Sequence, residues 1–441
     1  MADKKLQKYP EENMSYKTLT KEELTKLERE LEAQYEQLKA KNLKLDMSRG
    51  KPGPDQLELC MGMLDILNSK SVLESEEGID CRNYGALDGI REAKELMSGV
   101  IDSPAENVLV CGNSSLNIMY DTVARAYTNG VLGMKPWKEL KEVKFICIVP
   151  GYDRHFAIIK HFEIGHINVP MLKDGPDMDL VERLVSEDES IKGIWCVPKY
   201  SNPDGVVYSD EVVKRFAALK PKAKDFRIYW DNAYAVHDLY DDKEILTDIL
   251  SECEKAGNPN LVYKFASTSK ISFTGAGIAA MAASEENLKE IKKQLFFQTI
   301  GYDKINQLRH ARYFKNIEGI YAHMKKHAAI LRPKFEMVID TLERELGGTD
   351  TAVWTKPRGG YFISLDTMEG CAKEVVSCCK EAGVTMTSAG ATFPDGADSK
   401  DSNIRIAPSY PNVEDLKAAA ELLSLCIKLV SVRKLLKEQL S

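Results

Sequence analysis

Between residues 105 and 285 the chain repeats one unit: a short apolar run, a turn, then a stretch with helical spacing. The apolar runs fall at 107–111, 145–150, 167–171, 193–198, 227–230 and 261–265. A further run at 278–283 follows a turn carrying Gly275 and Gly277. Helical stretches lie at 116–127, 155–162, 179–186, 210–219 and 244–255. A strand that returns through a helix pairs in parallel with its predecessor, and a parallel sheet is covered by helices on both faces. The pattern therefore predicts an α/β fold. Ligands of such sheets gather at the carboxyl ends of the strands, so residues just past those ends are the first candidates for chemistry.

The flanks follow other rhythms. Residues 1–15 read as a loose polar arm and 19–42 as a helix. Thr20 and Glu23 form a capping box there, and Leu24, Leu27, Leu31, Tyr35 and Leu38 share one face. Residues 45–54 form an irregular loop broken by Gly50, Pro52, Gly53 and Pro54. From Glu285 to about residue 345 the pattern is continuously helical. Beyond it come short runs at 352–355, 361–365, 384–387 and 403–406, the turn Pro357-Arg358-Gly359-Gly360, a helix at 372–381 and a last helix from Val413. This is a second, α+β unit, with its boundary inside the long helix near residue 320.

With 441 residues, 44% hydrophobic, 29% charged and a net charge of −7, the chain reads as a soluble two-domain protein. The acidic balance argues against nucleic acid as the main partner. No run approaches the ~18 apolar residues of a membrane span. The polar N-terminus carries no export signal. The ten cysteines show neither C-x-x-C pairs nor zinc spacing, so no metal site is expected, and free thiols in a reducing cytoplasm are.

Lys270 ends the stretch Phe265-Ala266-Ser267-Thr268-Ser269-Lys270, between a strand-like run and a Gly-rich turn. A lysine held there loses hydration, and its amine becomes a usable nucleophile; an ordinary loop lysine is the plainer alternative. Asn202-Pro203-Asp204-Gly205 taken alone is a turn. Asp231-Asn232-Ala233-Tyr234 ends the next strand, where an acid often caps a helix. Tyr152 and His155, in Pro150-Gly151-Tyr152-Asp153-Arg154-His155, share a face at a helix start. Gly112-Asn113-Ser114-Ser115 exposes backbone N–H groups at a helix start, which suits a phosphate or a simple N-cap.

In chain order these give a phosphate turn, an aromatic residue with a histidine three on, Asn-Pro-x-Gly, Asp-x-x-Tyr, Ser-x-x-Lys and a late arginine in Asn403-Ile404-Arg405-Ile406. The series resembles fold-type I pyridoxal-phosphate enzymes, class I aminotransferases among them. The wording SRGKPG, NYGALDG, GNSSLNIMYD, PGYDRH, YSNPDG and FASTSK looks most like the type Ic (MocR-like) bacterial aspartate aminotransferases. The resemblance covers residues 45 to 410. It implies a large domain (61–320) with a mostly parallel seven-stranded sheet, and a small α+β domain formed by 321–441 together with the N-terminal 1–60.

The resemblance also implies roles. Lys270 would bond the cofactor, pyridoxal 5′-phosphate, and move the substrate proton. Asp231 would pair with the ring nitrogen, supported by His155. Tyr234 and Asn202 would bond the phenolic oxygen, and Tyr152 would stack on the ring. Gly112, Asn113, Ser114, Ser115 and Ser267 would hold the phosphate, joined by Tyr84 of a neighbouring subunit in a homodimer with interfacial active sites. Arg405 and Asn202 would grip the substrate α-carboxylate. Ser48, Arg49, Gly50 and Lys51 would form a cationic loop over the substrate, with Arg82 a further candidate. The family's phosphate-binding arginine, eight residues past the lysine, is replaced by Ile278, leaving Lys304 or Thr299 as substitutes. The resulting expectation is a cytoplasmic aminotransferase for L-aspartate and 2-oxoglutarate. Aromatic, 2-aminoadipate or kynurenine-type donors, a lyase or decarboxylase on the same scaffold, and a regulatory binding module are the alternatives.

Overall fold

The computed structural model describes residues 14–439, and most of the polar arm expected at 1–15 lies outside that range. The strands, in chain order, are β1 (Leu45–Asp46), β2 (Val108–Val110), β3 (Lys144–Val149), β4 (Gly165–Leu172), β5 (Gly175–Pro176), β6 (Ile191–Cys196), β7 (Arg227–Asp231), β8 (Val262–Ser267), β9 (Ala279–Ala282), β10 (Ala352–Trp354), β11 (Ile363–Thr367), β12 (Val384–Thr385) and β13 (Asn403–Ile406). The helices are α1 (Lys21–Lys39), α2 (Pro54–Glu58), α3 (Arg91–Ile101), α4 (Ser115–Asn129), α5 (Asp153–His161), α6 (Met178–Glu187), α7 (Asp210–Ala217), α8 (Ile249–Lys255), α9 (Glu285–Gln298), α10 (Lys304–Phe314), α11 (Ile317–Leu346), α12 (Ala372–Glu381) and α13 (Val413–Glu438).

The main sheet has the order β2-β9-β8-β7-β6-β3-β4-β5. Strands β4, β3, β6, β7 and β8 run parallel; β9 is antiparallel to both β8 and β2. The sheet thus has eight strands rather than seven. The additional one, β5, is a two-residue return pairing antiparallel with the end of β4. Strand β7 is buried at every position and β3 at all but its first. Burial on both faces is why these segments read as apolar runs rather than alternating ones. Chain order reverses between β3 and β6, so the crevice at their carboxyl ends is a topological switch point.

Packing under the sheet depends on one missing side chain. Phe145 is wholly buried, edge-on to Trp137 and tilted against Trp195 and Tyr229. A Cβ on Gly193, in the adjacent strand, would lie 2.4 Å from the Phe145 ring. Burying such a ring contributes about 1.5–3 kcal/mol, which Gly193 makes possible.

Two expected helices are shorter than their patterns. The stretch 244–255 is helical only from Ile249, because the Asp248 carboxylate accepts the N–H groups of Leu250 and Ser251 and caps the helix there. The helical region after Glu285 is three helices, broken where Asp303 and Asn316 cap α10 and α11. Helix α11 then joins two cores. Ile320 and Met324 pack with α3 and β9 under the main sheet, while Leu331, Phe335, Val338 and Leu342 pack with α13. Leu24, Leu31 and Tyr35 of α1 enter that second core, which also takes in the antiparallel sheet β10-β11-β13. The capping box of Thr20 and Glu23 is formed. All ten cysteines are buried and unpaired. Among the described residues no helix is long and apolar enough to cross a membrane.

Candidate active site

The carboxyl ends of β3, β6, β7 and β8 bring Tyr152, Asn202, Asp231 and Lys270 to one cleft, and β13 of the smaller sheet adds Arg405. Asp231 is the last residue of β7. Its Oδ2 lies 3.0 Å from His155 Nε2, and both side chains are buried. His155 stacks on Trp195 with ring centroids 4.6 Å apart, and Tyr152 meets it edge-on at 5.0 Å. The other oxygen, Oδ1, is buried with no hydrogen-bond partner. A buried carboxylate oxygen is costly to leave unpaired, so the site is built for a donor that the chain does not supply.

Lys270 is half-buried, with its Nζ 5.0 Å from the centre of the Tyr234 ring. Loss of hydration lowers the pKa of its amine, with the Asp231 charge pulling the other way. Tyr234 is buried, and burial raises its phenol well above the usual value, helped by Tyr152 and Asp231. His237 was not anticipated. Its Nε2 donates to the Lys270 carbonyl at 3.3 Å, and its ring meets Tyr234 and Tyr361 edge-on. Burial pushes its pKa well below the usual value, so it is neutral. The Asp-x-x-Tyr motif ends three residues before it, and helical spacing was the one available hint.

Gly112, Asn113, Ser114 and Ser115 lie between β2 and α4, with Ser114 capping the helix. Gly112 has φ +70°, the left-handed region a glycine takes readily. The β8 end faces this turn: Ser267 donates to Ser269 at 3.0 Å, and Ser269 to the Asn113 carbonyl at 3.4 Å. Ser269 belongs to the cluster and was missed. Ile278 is buried, its N–H donated to Thr268 Oγ1. Lys304 donates instead to the Gly85 carbonyl, and Thr299 to that of Gly301. Arg309 reaches the turn carrying Ile278 indirectly. It bonds Asn306, whose amide holds the carbonyls of Ala276 and Gly277, and its Nε is buried without a partner.

Arg405 is buried beside Phe362, its Cζ 4.9 Å from the ring centre. Nη1 donates to Asp153 Oδ1 at 3.0 Å and to Asn202 Oδ1 at 3.3 Å. Gly50 crosses directly over Phe362, where a Cβ would fall 2.0 Å from the ring. The loop's charges point elsewhere: Ser48 and Arg49 bond Asp46, and Lys51 sits over the Tyr410 ring at 4.7 Å. Arg82 pairs with Asp80 in solvent. Tyr84 is 78% exposed.

Comparison with known proteins assigns the family and the fold. The aspartate amino-transferase family profile matches residues 19–439. An aspartate aminotransferase of Corynebacterium glutamicum is 45% identical over 403 residues, 91% of this chain and 93% of that protein. The crystal structure of an aspartate transaminase from Corynebacterium glutamicum superposes with a TM-score of 0.94 at 43% identity, covering 96% of this chain and all of that one. At 19% identity the fold alone is shared with LysN, an alpha-aminoadipate aminotransferase of Thermus thermophilus complexed with N-(5′-phosphopyridoxyl)-L-leucine, at a TM-score of 0.72 over 88% and 92% of the two chains. On sequence and fold together, the chain belongs to the aspartate amino-transferase family.

Proposed function

We propose that the protein transfers the amino group of L-aspartate to 2-oxoglutarate, with pyridoxal phosphate as cofactor. The observation that carries this is the pairing of an unpartnered buried carboxylate oxygen, Asp231 Oδ1, with a desolvated amine, Lys270, in one cleft. That donor set fits the cofactor: Asp231 would be satisfied by a protonated ring nitrogen, and Lys270 would hold the aldehyde carbon. Bound there, pyridoxal phosphate supplies an electron sink for the pair released when the substrate Cα–H bond breaks.

The chain's own groups do the rest. Asp231 holds a proton on the ring nitrogen, and His155 fixes the carboxylate from behind. Tyr234 and Asn202 would hydrogen-bond the cofactor's phenolic oxygen, and Tyr152 would stack on its ring. Gly112, Asn113, Ser114, Ser115, Ser267 and Ser269 hold the phosphate, aided by the positive end of α4. Arg405 and Asn202 orient the substrate carboxylate, and Phe362 and Gly50 exclude water from it. Lys270 Nζ, with its lowered pKa, would take the proton from the substrate Cα and deliver it to C4′ of the cofactor.

The reading extends to assembly. Tyr84 completes the phosphate site of a second copy, and the exposed Phe296 and Phe297, at 73% and 87%, support a shared apolar face. The chain fits the type Ic subgroup by its motifs. Residues 14–60 and 321–439 form one small domain that moves against 61–320; on closure Arg49 and Lys51 leave Asp46 and Tyr410 and, with Ser48 and Gly50, turn over the substrate. Its buried, unpaired thiols suit the cytoplasm.

The absorbance spectrum with L-aspartate tests this. A band near ~400 nm that moves to ~330 nm on adding L-aspartate is expected of lysine-bound cofactor passing to its amine form. A band that L-aspartate leaves unmoved would refute the donor assignment, and no band after loading would refute the site.

A further inference from the structure

Arg405 is already holding a carboxylate. Its Nη1 donates to Asp153 at 3.0 Å and to the Asn202 carbonyl oxygen at 3.3 Å. Its Nε is shielded from solvent and has no partner. Phe362 lies 4.9 Å from the guanidinium carbon. A carboxylate that approaches the Nη1–Nη2 end meets Asp153 there. Planar two-donor recognition at that end needs Nη1, and Asp153 has it. The two partners are unequal: the Arg405 side chain is 9% exposed and that of Asp153 39%. The aspartate can turn into water at little cost, whereas the arginine cannot. Asp153 also opens the first turn of α5, where the helix end stabilises a carboxylate that has let go of its cation.

We propose that Asp153 is a displaceable occupant of the Arg405 site, and that every substrate carboxylate must dislodge it to bind. This rests on the reading of Arg405 as the carboxylate anchor. In the free protein Asp153 keeps a buried cation paired, which avoids the cost of an uncompensated charge. On binding, one carboxylate exchanges for another, and the substrate gains only the difference. Asp153 thereby sets the affinity for amino acid and 2-oxo acid alike. No bond is made or broken; the device acts on binding alone.

The test uses the pyridoxal-phosphate-loaded enzyme and succinate, a dicarboxylate with no amino group to transfer. Asp153→Asn should bind succinate about three- to tenfold more tightly, the scale of one charge-assisted contact at a part-exposed pair. In turnover the gain should fall on KM for both substrates rather than on kcat. Arg405→Ala should lose succinate binding, and Asp153→Asn should give no gain in that background. Unchanged or weaker succinate binding by Asp153→Asn, with Arg405→Ala still defective, overturns the proposal and leaves the anchor standing. The proposal falls equally if Asp153→Asn tightens binding by the same factor without Arg405, since the effect would then be general charge removal. Succinate bound normally by Arg405→Ala would instead remove the anchor and the proposal with it.

Discussion

Asp231 and Arg405 are opposite charges buried in one cleft, and they are held in opposite ways. Asp231 ends a strand inside five parallel ones, with His155 behind it and Trp195 stacked on His155. His155 comes from α5 and Trp195 from β6, and both are buried, so the groups around it are held by close packing. Arg405 stands on β13, the edge strand of the small sheet, and takes its partner from α5 across the cleft. Its surroundings come from separate elements, and that partner is half in water. The floor is preorganised for one occupant, while the rim accepts alternatives. This division suits an enzyme that must retain its cofactor and exchange two substrates.

Removing the floor should cost most. Lys270→Ala should lower kcat with L-aspartate by more than about 10³-fold, as loss of the proton-transferring group implies; activity within tenfold of the unaltered enzyme would break the comparison at its centre. Asp231→Ala should follow, with a fall of about 10²–10³-fold in kcat and weaker cofactor retention on dialysis. His155→Phe keeps a ring for Trp195 but removes the Nε2 contact, and should cost roughly tenfold in kcat with little change in KM. A KM effect instead would mean that the floor and rim are mechanically joined there.

An effect on stability rather than turnover belongs to Asp204, whose carboxyl faces Ser364 of β11. Burial raises its carboxyl to about 7, against the opposing bond from Ser364. A folded-state pKa raised above the unfolded value means that the native protein binds the extra proton. Stability is then greatest at low pH within this window and falls as pH rises from about 4 to about 7. Asp204→Asn should therefore raise the melting temperature more at pH 8 than at pH 5, with about 4 kcal/mol as the upper limit. A constant gain across that range would show that the carboxyl is not titrating in place.

The floor could be read from sequence because buried parallel strands leave uninterrupted apolar runs, and polar residues at their ends stand out against them. The resemblance supplied the roles. Strand β5 has no signature of its own: it is two residues, Gly175 and Pro176, and pairing with β4 alone makes them a strand. Asp153 was quoted within a motif and given no role. Its partner lies 252 residues away, and no local spacing announces a contact between α5 and the small sheet. Ser269 was passed over beside Lys270 for a similar reason, since its value depends on facing Asn113. The Arg49 and Lys51 loop was legible as charge, but not as charge turned toward Asp46 and Tyr410.

The ten buried thiols have a practical consequence. Burial holds those of Cys60, Cys371 and Cys378 up to about 11, and those of Cys111 and Cys253 up to about 12. An alkylating reagent reacts with the thiolate, so it meets almost none on the native surface at neutral pH. Each alkylation then records an opening of the chain around that cysteine. Cys147 and Cys196 sit in the main sheet, Cys253 in α8, Cys378 and Cys379 in α12 and Cys426 in α13, while Cys60 and Cys81 lie in the loops before α3. Timed labelling read by mass spectrometry would make them resident clocks, reporting which part of the molecule breathes first.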